Sequence, residues 1–154
     1  MESQIDNIGE VGKTAKLICA KEMFNCGQIL DMVEQMRELV NKYSYMPIGI
    51  ILPRNKYLIP AIFACINQYS PFLLVDSALP KERILYMLRN SQCKCILTVS
   101  TFSLYPLYIK EASCGECVLC ISREINSSQS DGSILYHQYT SGSTGEPKGI
   151  EISR

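Results

Sequence analysis

Two apolar spacings take turns along this chain, short continuous runs and repeats of three or four residues, and their order sets the expected elements. Leu17, Ile18 and Cys19 make residues 16–20 a short first strand. Over 27–42, Ile29, Met32, Val33, Met36, Leu39 and Val40 recur at helical spacing, with Asn25 placed to cap the helix. Glu34, Arg37, Glu38 and Lys42 form its solvated side. The run Ile48-Gly49-Ile50-Ile51-Leu52 is nearly all apolar, as a strand covered on both faces requires. Asn55 opens an expected helix reaching 68, within which Pro60 is a cost or a kink. Residues 72–75 read as the next strand, Pro80 suits the first turn of the following helix, and 95–99 form a fourth strand. A weaker helical pattern over 103–111, an apolar strand over 116–121, a polar loop over 126–132 and a strand over 134–139 complete the order.

Strands and helices that alternate in this way predict an α/β fold, a largely parallel sheet with flanking helices. Ligands of such sheets sit beyond the carboxyl ends of the strands, which is where residues 140–149 fall. A chain of 154 residues suffices for one compact domain burying roughly two-thirds of its unfolded surface. Its 15 basic and 15 acidic residues balance, so neither nucleic acid nor an anionic membrane is an expected partner. The start Met1-Glu2-Ser3-Gln4 lacks the basic and apolar blocks of a secretory signal. Pro60, Asn67, Gln68 and Pro71 break up the most apolar window, 57–75, which argues against a membrane span. A reduced, cytoplasmic setting is the expectation.

That setting bears on the eight cysteines. Cys19, Cys26, Cys65, Cys93 and Cys95 lie in or beside apolar runs and read as small buried hydrophobes. The spacing of Cys114, Cys117 and Cys120 can hold zinc or begin an iron–sulfur site. The same residues also read as strand positions, and the lone histidine, His137, is distant in sequence, so no metal site is assigned.

The chemistry concentrates in Tyr139-Thr140-Ser141-Gly142-Ser143-Thr144-Gly145-Glu146-Pro147-Lys148-Gly149. Its glycines remove Cβ atoms that would hold a polyanion off the backbone, and successive N–H groups in such a loop form an anion-binding concavity. Thr140, Ser141, Ser143 and Thr144 add hydroxyls, and Lys148 adds a full charge behind the rigid Pro147. A flexible Ser/Gly linker needs neither the lysine nor an apolar strand leading in. The pattern is not a Walker loop, since Gly149 follows Lys148. Gly12-Lys13-Thr14 fails too, with Asn7 in place of the first glycine.

This segment resembles the phosphate-loop signature of the adenylate-forming (AMP-binding) enzymes: acyl-CoA synthetases, luciferases and the adenylation domains of nonribosomal peptide synthetases. The Tyr139-Thr140-Ser141 opening is most similar to the synthetase branch. A second resemblance runs through Ala61–Cys65, Pro71–Asp76 and Leu79–Leu88, where Val75-Asp76-Ser77 replaces Leu-Asp-Pro and Pro80-Lys81-Glu82-Arg83-Ile84 is intact. The resemblance implies a tail at 1–12 and, over 13–154, the N-terminal portion of the large subdomain of an adenylation domain.

Family members use ATP with Mg2+ to turn a carboxylic acid, in this branch an amino acid, into an acyl-adenylate, which passes to the phosphopantetheine thiol of a carrier protein. Carried over, Thr140, Ser141, Gly142, Ser143, Thr144, Gly145 and Lys148 hold the β- and γ-phosphates of ATP. Asp76 braces the turn before Pro80, and Arg83 is structural, ion-paired on its helix. The family's catalytic lysine, ribose-binding aspartate and magnesium-binding acid follow this loop, so the segment alone is expected to bind ATP phosphates at most. The alternatives are a non-catalytic remnant or interaction module, and an acyl-CoA synthetase-type segment. The polar pair His137-Gln138 departs from the family's apolar strand, leaving His137 as a satisfied core histidine or a sensor of the phosphate end.

Overall fold

A computed structural model describes residues 16–19, 21–140 and 147–154 of the chain. Strands β1 (Lys16–Cys19) and β2 (Glu22–Asn25) pair antiparallel as a separate two-stranded sheet. Helix α1 (Cys26–Val40) follows at once, with Asn25 as its cap: the Asn25 side chain accepts from the Gln28 N–H, and the Gln28 side chain accepts from the Asn25 N–H. Two of the orphan donors at the helix start are thereby satisfied. Then come β3 (Ile48–Ile51), α2 (Leu58–Asn67), β4 (Phe72–Leu74), α3 (Lys81–Asn90) and β5 (Cys95–Val99). Four strands close the chain: β6 (Tyr108–Cys114), β7 (Cys117–Ser122), β8 (Ile134–Thr140) and β9 (Lys148–Ser153).

The last seven strands form one sheet in the order β6-β7-β5-β3-β4-β8-β9. Its centre, β5-β3-β4-β8, is parallel, and β7 and β9 alone run against the common direction. The α/β reading with a largely parallel sheet therefore holds. Alternation along β3 divides the core. Ile48 and Ile50 face α1 and α2, meeting Met36, Val40, Ala61, Ala64 and Cys65. Ile51 faces the other way, with Leu73 and Ile96, toward Ile84, Met87 and Leu88 of α3. Gly49 lets α3 close on the sheet, since a Cβ there would meet Leu88 Cδ2 at 2.6 Å and Ile96 Cγ2 at 3.0 Å.

Several expectations need correction. The first strand belongs to the separate hairpin and not to the main sheet. Helix α2 starts at Leu58, so Pro60 lies in its first turn, where its missing N–H has no partner to lose. Residues 103–111 are not a helix: Tyr108 onward is β6, hydrogen-bonded to β7. A register shift between Lys110 and Ala112 makes Glu111 an extra residue, which spoils the strict alternation that marks a strand. Strands β2 and β9 are additions to the expected order. Of the cysteines read as buried, Cys65, Cys93 and Cys95 are so, whereas Cys19 and Cys26 are half-buried. No helix among the described residues is long and apolar enough to cross a membrane.

Candidate functional site

The candidate loop joins β8 to β9. Thr140 and Lys148 are directly paired across the two strands, one step beyond the pair Tyr139–Gly149. Both side chains are exposed, while Pro147 between loop and lysine is buried. Ser141, Gly142, Ser143, Thr144 and Gly145 lie outside the described residues. Because β8 runs parallel to β4, the loop leaves from the edge where β4 ends and the turn into α3 begins. Its described ends, Thr140 and Lys148, thus stand at the carboxyl edge of the parallel centre, where such sheets take ligands. At that edge Asp76 accepts the Ala78 N–H at 2.9 Å and its carbonyl accepts the Leu79 N–H, which confirms it as a turn brace. Arg83 is exposed and forms no salt bridge among the described residues, against the expected pairing on its helix.

Gly149 has a different role from the one its sequence suggests. A Cβ there would meet the Tyr139 ring, with Cζ at 3.1 Å and Cε1 at 3.2 Å. The missing side chain makes room for an aromatic ring rather than for a polyanion. Tyr139 itself reaches α3: its hydroxyl lies 2.9 Å from Ser91 Oγ and donates to the Met87 carbonyl at 3.3 Å. Sequence reasoning missed this link, since its partners stand 48 and 52 positions away.

His137 points away from the loop's end of the sheet. It lines a polar groove of about 350 Å³ with Ser91, Gln92, Ser130, Asp131 and Glu151, near Pro47 and Pro71, which precede β3 and β4. Those neighbours belong to the amino edge of the parallel strands. Burial holds the His137 imidazole below its usual range, and Glu151 across the strand pair opposes that shift. Its Nε2 is buried without a hydrogen-bond partner, so it is neither a satisfied core histidine nor aimed at the phosphate end.

The cysteine cluster is divided by the sheet. Cys117 belongs to the core on the α1–α2 side, where Cys114 packs, while Cys120 packs on the α3 side. Burial raises the thiols of Cys117 (to about 12) and Cys120, as expected of inert structural cysteines. For magnesium, the described residues offer no group of three or more His, Cys, Asp or Glu side chains able to hold an ion. No step is derived through that metal.

The family model described as AMP-binding enzyme matches residues 40–154, most of the chain and the whole of its main sheet. The chain belongs to the AMP-binding enzyme family. Among curated relatives, a plipastatin synthase polypeptide of Bacillus subtilis is 36% identical over 110 residues, which are 68% of this chain and 4% of that protein. A linear gramicidin synthase polypeptide of Brevibacillus parabrevis is 32% identical over 109 residues, 68% of this chain and 2% of that protein. This chain thus spans a small fraction of those synthetases. Among solved structures, the O-succinylbenzoate coenzyme A synthetase of Bacillus subtilis in complex with AMP aligns over 99% of this chain and 42% of its own. The TM-score is 0.73 at 21% identity, a likeness of fold. A four-domain nonribosomal peptide synthetase bound to AMP and glycine aligns over 97% of this chain and 11% of its own, with TM-score 0.69 and 18% identity.

Proposed function

We propose that residues 13–154 are the part of an adenylation domain that grips the phosphate end of ATP. The whole unit activates an amino acid as its acyl-adenylate and delivers it to the phosphopantetheine thiol of a carrier protein. One observation carries the reading: the family's phosphate-loop signature sits on a strand pair at the carboxyl edge of the parallel sheet, with Thr140 and Lys148 paired and exposed at its mouth. Thr140, Ser141, Ser143 and Thr144 donate hydroxyl hydrogen bonds, Gly142 and Gly145 let backbone N–H groups approach, and Lys148 supplies the charge. In the complete reaction these donors stabilise the pyrophosphate as it leaves. The likeness to a coenzyme A synthetase solved with ATP and a magnesium ion supports ATP as the nucleotide. The synthetase relatives support an amino acid as the acid.

The test is titration calorimetry of this chain with inorganic tripolyphosphate and with ATP. Binding of both is expected, weakened at least about tenfold by Lys148→Ala, because a charge-assisted hydrogen bond is worth about 1.5–3 kcal/mol. Equal binding by the variant removes Lys148 from the site. In a polypeptide joining this segment to the remainder of an adenylation unit, amino-acid-dependent exchange of labelled pyrophosphate into ATP is expected. Exchange that responds only to non-amino carboxylic acids transfers the segment to the coenzyme A ligases.

A further inference from the structure

We infer that Tyr139 is a positioning residue that fixes the phosphate loop to helix α3, joining the two sequence motifs of this chain into one mechanical unit. The inference rests on the phosphate-binding reading of the same loop and adds to it the residue that holds the loop's base.

Three contacts carry it. The Tyr139 ring lies across Gly149 on the neighbouring strand, so one side chain touches both legs of the hairpin just below the loop. Its hydroxyl reaches the carboxyl end of α3, at Ser91 Oγ and the Met87 carbonyl. Ser91 is 5% exposed, and the Tyr139 hydroxyl is the partner of its buried Oγ. The phenol has one proton. Given to the Met87 carbonyl, it leaves the phenolic oxygen to accept from Ser91, so donors and acceptors balance.

The mechanical consequence follows from what surrounds the loop. Among the described residues strand β9 is last in the strand order, and from Lys148 to Ile150 it is exposed. Apart from the buried Pro147, little apolar packing among the described residues fixes where Lys148 sits. Helix α3, by contrast, buries Ile84 and Leu88 completely against β3 and β4. A hydrogen bond from that helix to Tyr139 passes its rigidity to the Thr140–Lys148 pair. Donors held in place before a polyanion arrives lose less freedom on binding it. The motif that opens α3 and the motif of the loop, about 60 positions apart in the chain, meet through this contact.

The experiment is calorimetric titration of this chain with inorganic tripolyphosphate, using Tyr139→Phe, Ser91→Ala and the double variant, with urea unfolding of each. Tyr139→Phe keeps the ring on Gly149 and removes only the hydroxyl. Each single variant is expected to weaken tripolyphosphate about fivefold, the worth of one net hydrogen bond. The double variant is expected to be no weaker than either single one, because both remove the same link. Single variants that bind as tightly as the parent overturn the inference while leaving phosphate binding intact. So do losses that multiply in the double variant, which would make the two residues independent. Failure of the parent chain itself to bind tripolyphosphate overturns the underlying reading instead. Should Ser91→Ala prove too unstable to titrate, Tyr139→Phe against Tyr139→Leu still decides. An affinity lost equally in both assigns the effect to the hydroxyl, and one lost only with the ring overturns the link to α3.

Discussion

The sheet carries an antiparallel hairpin at each edge, and the two have opposite uses. The β6–β7 hairpin turns through Gly115 and Glu116 alone, with Gly115 at φ +55° beneath the Tyr57 hydroxyl. Strand β7 puts Cys117 and Leu119 into the core, and the bulged Glu111 accepts from Lys42 at 2.8 Å and from the Tyr43 hydroxyl. The β8–β9 hairpin joins its strands through residues 141–147, and β9 is exposed at every position but Ile152. A two-residue turn has few backbone donors to offer a ligand. A longer connection has more of them in its sequence, and Tyr139 braces the strands that carry it.

The largest expected difference between the hairpins is in stability. Leu119, 1% exposed, sits between two helices and the sheet centre, so Leu119→Ala should cost about 2–5 kcal/mol in urea unfolding. Ile150, 47% exposed on β9, should cost within about 0.5 kcal/mol when made alanine. Similar losses at both positions would mean that the edge carrying the loop is as firmly packed as the other, and the contrast would fail.

The parallel centre was legible because buried strands write themselves as continuous apolar runs and amphipathic helices as repeats of three and four. Ile48–Leu52 is such a case and is buried as read; of the helix face, Met32, Val33, Met36 and Val40 are buried while Ile29 and Leu39 are half-buried. The loop was legible because its glycines, hydroxyls and lysine are adjacent in sequence. The edges were harder. Glu111 interrupts the alternation of β6, so local spacing favoured a helix where pairing with β7 decides. In β9, Ile150 and Ile152 do alternate with Glu151, a signal that the neighbouring loop motif overshadowed. The Tyr139–Ser91 contact had no local signal, because only the folding of α3 onto the sheet brings the pair together.

A second expected difference is chemical and appears at high pH. Burial pushes the Cys117 thiol up to about 12. The unfolded chain loses that proton near pH 9 and the folded chain does not, so this contribution to stability is complete below about 9. It declines as pH rises toward 12. Cys65 and Cys95, buried beside the same hairpin, shift in the same direction. At pH 8 the native Cys117 should react with a thiol reagent about a thousandfold more slowly than in urea, following its thiolate fraction. Cys117→Ala should flatten the fall in urea midpoint between pH 9 and 11. Prompt labelling of native Cys117, read by peptide mass, would show that the β6–β7 hairpin opens as readily as the other.

The smallest effect belongs to the β8–β9 side and has the opposite sign. Burial holds His137 below its usual range, and the Glu151 carboxylate offsets part of that. The fold therefore favours the neutral imidazole, whose contribution is fully present above the unfolded pKa near 6.5. It is lost as pH falls through the lowered value. His137→Gln should remove a shallow loss of stability between pH 7 and 5, whereas Glu151→Gln should deepen it by removing a carboxylate that favours protonation. The two substitutions must act in opposite directions if the groove, and not a general loosening of the edge strand, sets the response. Equal flattening by both would assign the acid sensitivity to β9 itself. The hairpins would then differ in packing alone, with no titrating group of its own marking the edge that carries the loop.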